Sequence, residues 1–139
     1  MIKVNGQLTI GELIKVLDAV PRELPLRIFG HARLRPVTSL ASYRGYYEDV
    51  AIGYGSDRGI RFTEGTTVGA LRDELEQAIR RRRSIFGYNG GTWQCSESTA
   101  VWVANFGDAT HAAVTGVVVR RGKAHLMMAS DQRDGWVRL

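Results

Sequence analysis

Cysteine is almost absent. Cys95 stands alone among 139 residues, so no disulfide can form within one chain, and a zinc site built on paired cysteines lacks its ligands. Proline is scarce, with three in the chain, and no segment is long and low in complexity, which argues against an extended disordered tail. Long apolar runs are missing too. Val117-Val118-Val119 is among the longest, far below the roughly 20 residues that a bilayer-spanning helix needs. The segment after Met1 lacks the charged-then-apolar pattern of a secretory leader. These absences predict one cytoplasmic domain over residues 1–139 with no membrane association.

Catalytic signatures are missing as well. None of His31, His111 and His125 opens a His-x-Ser/Thr pair or lies in a His-Glu-x-x-His spacing. There is no Gly-x-Ser-x-Gly elbow and no phosphate-binding Gly-x-x-x-x-Gly-Lys loop. His125 alternates with Leu126 and reads as a sheet-surface histidine. Asp131 and Asp134 could hold a cation, but Ser130–Gly135 reads more simply as a polar turn. Cys95 as a nucleophile would need a nearby base, and a small buried thiol is the simpler reading. A binding protein rather than an enzyme is expected, with no metal and no cofactor.

What is present is a local basic patch. The formal charge is +5. Residues 1–79 carry 10 Lys/Arg and 10 Asp/Glu, whereas residues 80–139 carry 9 and 4. Four of those cations are the run Arg80-Arg81-Arg82-Arg83. Such a run is an ordinary solvated helix end or a phosphate contact. Adjacent helical positions point around the axis, so about two of them could face one ligand.

The hydrophobic pattern predicts two helices. Thr9-Ile10-Gly11-Glu12 fits a capping box, and Ile10, Leu13, Leu17 and Val20 follow at helical spacing until Pro21. This places a helix over about residues 10–19. Thr67-Val68-Gly69-Ala70-Leu71 repeats that opening, with Val68, Leu71, Leu75 and Ile79 as its stripe. Leu26–Phe29 reads as a strand, residues 30–46 as irregular or edge-like, and Glu48–Tyr54 as a half-buried strand. Ile60–Phe62 is expected to pair back as a hairpin across the Gly55–Gly59 turn. Further strands are expected at Ala100–Phe106, in a hairpin of Ala113–Arg121 with Lys123–Ala129, and at Trp136–Leu139. The predicted fold is α+β, a mainly antiparallel sheet with two helices packed on one face.

Three clusters carry residues suited to a ligand. Ser42-Tyr43-Arg44-Gly45-Tyr46-Tyr47 combines an arginine fork for phosphate with rings that can stack on a base. It reads equally as a strand entry with tyrosines packed at the sheet edge. Phe86-Gly87-Tyr88-Asn89-Gly90-Gly91-Thr92-Trp93 could present backbone N–H groups to an anion beside a stacking ring. It also reads as a glycine-rich turn with aromatics covering bare backbone. Trp102 reads as core or interface, and Asn105 as a base-edge contact or a turn cap.

In this order, Thr-Ile-Gly-Glu-Leu (9–13), Ser-Tyr-Arg-Gly-Tyr-Tyr (42–47), Thr-Val-Gly-Ala-Leu (67–71), Gly-Tyr-Asn-Gly-Gly (87–91) and Val-Trp-Val-Ala-Asn-Phe-Gly (101–107) resemble the first family of Thoeris anti-defence proteins, small phage proteins. The resemblance spans about residues 8–117. It implies a sponge that binds cyclic ADP-ribose isomers made by bacterial immune sensors, and in some members cyclic oligonucleotides, without cleaving them. It also implies a homo-oligomer, dimer-based or hexameric, with pockets between subunits. Toward such a ligand, Arg44 would hold phosphate, Phe86 and Tyr88 would stack on bases, and Asn105 would contact base or ribose. Tyr43, Tyr46, Asn89, Arg82 and Arg83 complete the candidate set. The alternative is a phage accessory protein that binds nucleic acid or a host protein through Arg80–Arg83.

Overall fold

The computed structural model describes residues 4–30, 33–43, 46–55, 60–62, 65–80, 84–86, 92–105 and 108–130. Both predicted helices form. α1 (Ile10–Asp18) opens with the full capping box: the Glu12 amide donates to the Thr9 hydroxyl at 3.3 Å, and the Thr9 amide donates to the Glu12 carboxylate at 2.9 Å. α2 (Val68–Arg80) opens on Thr67, whose hydroxyl accepts from the Ala70 amide at 3.2 Å.

The repeated Thr-(Ile/Val)-Gly opening performs the same task twice. A helix start leaves its first N–H groups without intrahelical partners. The Ile10 and Gly11 amides donate to the Thr99 and Glu97 carbonyls at 2.9 and 3.0 Å, and the Val68 and Gly69 amides donate to the Leu24 and Arg22 carbonyls, both at 2.9 Å. Each acceptor segment lies just ahead of a strand. Glycine permits the close approach, since a Cβ on Gly11 would lie 3.2 Å from the Glu97 carbonyl oxygen.

Among the described residues, ten strands follow the chain: β1 (Leu26–Gly30), β2 (Arg33–Pro36), β3 (Ser39–Tyr43), β4 (Tyr46–Tyr54), β5 (Ile60–Arg61), β6 (Ser84–Phe86), β7 (Thr92–Gln94), β8 (Val101–Asn105), β9 (Asp108–Arg120) and β10 (Lys123–Ser130). Eight of them form one sheet in the order β2-β1-β10-β9-β8-β4-β3-β5, and β6 pairs with β7 separately. The sheet is mixed rather than purely antiparallel, because β1–β10 and β4–β8 run parallel. A parallel neighbour needs a crossover, and α2 lies in the crossover from β4 to β8.

Three local expectations are corrected. Residues 30–46 hold two strands, and all five residues of β3 are buried. Buried Ser39 and Ser42 break the apolar alternation that would have marked β3. Strand β4 is buried on both faces from Asp49 to Tyr54, because it lies between β3 and β8. Strand β5 pairs with β3, not back onto β4. The β9–β10 hairpin is as expected: Arg121 and Gly122 turn it with φ of 52° and 77°, the left-handed pair that matches strand twist. Trp136–Leu139 lies outside the described residues.

The sheet curls until its ends share a seam. β2 and β3 are six strand positions apart in the order, which on a flat sheet would be about 29 Å at ~4.8 Å per strand. Only Val37 and Thr38 link them, and three Cα steps span at most about 11 Å. Hydrogen bonds fasten the seam: the Val37 amide donates to the Leu26 carbonyl at 3.3 Å, and the Thr38 amide donates to the Gly53 carbonyl at 2.9 Å.

Strand alternation separates two apolar clusters. Val50, Ile52, Tyr54, Val101, Val103 and Val114 join the buried stripes of α1 and α2 in the main core. Val4, Tyr43, Ala51, Trp102, Ala104 and Ala113 form a second cluster on the other sheet face. Among the described residues, no helix is long and apolar enough to cross a membrane.

Candidate functional site

The second cluster is built on a row of small residues. Register pairs Ala41 with Ala51, Ala51 with Trp102, Trp102 with Ala113, and Ala113 with Ala129. Residues opposite one another share a face. One indole therefore lies on a floor of alanines spanning five strands, with room for further rings above it. A register shift between Ser42 and Tyr43 sets Tyr46 opposite Tyr43 at the start of β4.

The three rings stack. Tyr43 and Trp102 have centroids 4.6 Å apart and planes 9° apart. Tyr46 lies 5.7 Å from Trp102 at 26° and 6.1 Å from Tyr43 at 20°. Such ring pairs are each worth about 0.5–1.5 kcal/mol beyond area burial. Trp102 is 0% exposed and Tyr43 2%, whereas Tyr46 is 40% exposed. The stack is thus closed on one side and open at Tyr46.

Polar groups lock the two buried rings. The Trp102 Nε1–H donates to Asp49 Oδ2 at 2.9 Å, and Asp49 is buried. The Tyr43 hydroxyl accepts from the His111 amide at 2.9 Å. His111 has φ of 62°, which is uncommon away from glycine. It sits where β9 carries extra residues, between the pairs Trp102–Ala113 and Ala104–Ala109. Bulges re-aim side chains and recur beside functional sites, and His111 is exposed.

Cys95 belongs to the main core. Burial, then the neighbouring Asp49 charge, pushes its thiol up to about 11, so it stays protonated and unreactive near neutral pH. Cys95 lines an open groove of about 750 Å³ with Glu76, Ile79, Arg80, Ser96, Glu97 and Ser98. Among the described residues, no group of three His, Cys, Asp or Glu side chains could hold a metal ion.

The two aromatic segments approach one another along the backbone. Cα atoms of β6 come within 8 Å of β3, and those of β7 come within 8 Å of β4. Phe86 ends β6, so its strand lies beside the one that carries Tyr43. Asn105 lies apart. It pairs with Tyr54 at the far end of β4 and has the strand parity of Val101 and Val103, opposite to Trp102. Thr38, at that same level, is five residues from Tyr43, or roughly 17 Å along a strand. Arg44, Arg82, Arg83, Tyr88 and Asn89 lie outside the described residues.

Asp49 and His111 escaped the reading of the sequence. Asp49 alternates with Ala51 and Gly53 like any solvent-facing acid, and nothing local pairs it with an indole 53 residues away. Among the described residues, the arrangement is chemically a π-surface that is accessible at Tyr46. Comparison of the chain with protein-family models, curated proteins and solved structures returns no match.

Proposed function

We propose that this chain is a non-catalytic nucleotide receptor that sequesters cyclic nucleotide immune signals, cyclic ADP-ribose isomers foremost, with a base stacked on Tyr46. The observation that carries this reading is the ring stack itself. Two buried rings, each held by a hydrogen bond, support a third that is open to solvent. A planar base can stack on the exposed part of the Tyr46 ring. Arg44 follows Tyr43 directly in sequence, and an arginine fork suits a phosphate group.

Sequestration asks for affinity, not for transition-state stabilisation. A dissociation constant of about 10 nM corresponds to about −11 kcal/mol, while one stacked base supplies about 1–3 kcal/mol. Phosphate contacts and closure by a second subunit must supply most of the rest, so the working form is a homo-oligomer.

The test is depletion and recovery. Incubation with cyclic ADP-ribose isomers should clear them from solution, and heating should return them unchanged. Tyr46→Ala should abolish the depletion while the protein stays folded. Absence of depletion across the isomers, or release of an altered nucleotide, would overturn the reading.

A further inference from the structure

The sheet region formed by β2, β1, β10 and β9 has a regular chemical pattern outside the ring stack. Phe29 on β1 pairs with Leu34 on β2. Arg27 pairs with His125 on β10, so Met127, two residues further, lies on the same face beside Phe29. Met127 in turn pairs with Gly116 on β9. This first row holds three of the most exposed large apolar side chains: Phe29 at 40%, Leu34 at 49% and Met127 at 49%.

The next row on the same face is Pro36, Arg27, His125 and Val118, all register partners. A third is the pair Lys123 and Arg120, both exposed. Successive rows lie about 7 Å apart, two residues along a strand. No Asp or Glu occurs in β1, β2, β10 or the Gly116–Arg120 half of β9. The buried Arg27 Nε has no hydrogen-bond partner.

We propose that this face binds single-stranded nucleic acid, with bases over the Leu34–Phe29–Met127 row and phosphates along Arg27, Lys123 and Arg120. An unpaired strand has planar apolar bases on one side and a run of charge on the other, the same division that these rows present. Strands that carry cations and no carboxylate repel an identical set of strands, which disfavours a second copy of the chain as the occupant. Stacking on an exposed ring tolerates any base, so binding is sequence-independent. Three cations facing phosphate set a salt dependence of about −2 in the log–log slope for a single strand.

The experiment is fluorescence polarisation of labelled dT10 at several salt concentrations, using the full chain. Wild type binds with a slope near −2. Phe29→Ala weakens binding about tenfold, within the range for losing one stacked base. Arg27→Ala/Lys123→Ala flattens the slope to about −0.7. Tyr46→Ala leaves binding unchanged, which separates this face from the nucleotide site above. The proposal is overturned if dT10 does not bind at low salt. It is equally overturned if Arg80→Ala removes binding while Phe29→Ala and Arg27→Ala/Lys123→Ala do not. A concentration-dependent dimer that Phe29→Ala dissolves, without dT10 binding, would show the face to be an interface between copies instead.

Discussion

The Trp102 indole nitrogen and the Asp49 carboxylate share a 2.9 Å hydrogen bond with both side chains buried. Asp49→Leu removes the acceptor and leaves the indole N–H buried without a partner, at a cost of about 1–3 kcal/mol. Asp49→Asn keeps an oxygen there and should lose less. Denaturant midpoints of the two variants order them, and the Trp emission of Asp49→Leu should shift as the ring loosens. Equal stability in both would show that the hydrogen bond does not hold the stack.

The same carboxylate acts on Cys95. Burial is the larger cause and the Asp49 charge the smaller in raising the thiol from 9.0 to about 11. A raised acid pKa means that folding favours the neutral thiol. Its stabilising contribution is complete below pH 9 and is lost as pH rises toward 11. Alkylation of native protein by iodoacetamide should therefore be slow at pH 8. In Asp49→Asn, the pH at which the rate climbs should move down. An unchanged profile would place the cause in burial alone.

How much was legible follows from where the information resides. Thr9 to Glu12 is a local signal, and the capping box forms as written. The Arg121-Gly122 turn is equally local. Strand β3 was not legible, because Ser39 and Ser42 are buried as small residues on a crowded sheet, a property of their neighbours and not of their own polarity. The curl was also hidden, since it depends on which strands the two-residue link Val37-Thr38 happens to join. At the site, Tyr43 and Tyr46 were marked by their chemistry. Their partners Asp49 and His111 were not, because hydrogen bonds across 53 and 68 positions leave no trace in spacing.

Gly30 should tolerate no side chain. A Cβ there would overlap the hydroxyl end of the Tyr54 ring. Arg35 sits over the same ring, with its guanidinium carbon 5.6 Å from the ring centroid and its Nε donating to the Gly30 carbonyl at 2.8 Å. Gly30→Ala should destabilise by about 1–3 kcal/mol through overpacking. In a Tyr54→Ala background the same change should cost much less, because the clashing ring is gone. Thermal or urea unfolding of the four proteins in this cycle measures the coupling, and strict additivity would refute the ring-on-glycine contact.

The two helices are tied by a charge network whose acid response can be predicted. Arg72 bonds to Asp18 at 2.8 Å and to Glu76 at 2.7 Å, while Arg22 meets Asp73 at 2.6 Å. The hydrogen bond from Arg22 holds Asp73 below its ordinary 3.8, and the one from Arg72 holds Glu76 below 4.5. Depressed carboxylates contribute stability that is present above those ordinary values and lost as pH falls through the lower folded ones. The groups are largely solvated, so the effect is small and weakens with salt. Urea midpoints should fall as pH drops below about 4.5, more steeply at low ionic strength. Arg72→Ala removes the largest cause of the Glu76 shift and a smaller contributor to the Asp73 shift, so it should make that decline shallower, while the part that Arg22 imposes on Asp73 stays. A decline of identical shape in Arg72→Ala would show that Glu76 owes its ionisation to something other than this arginine.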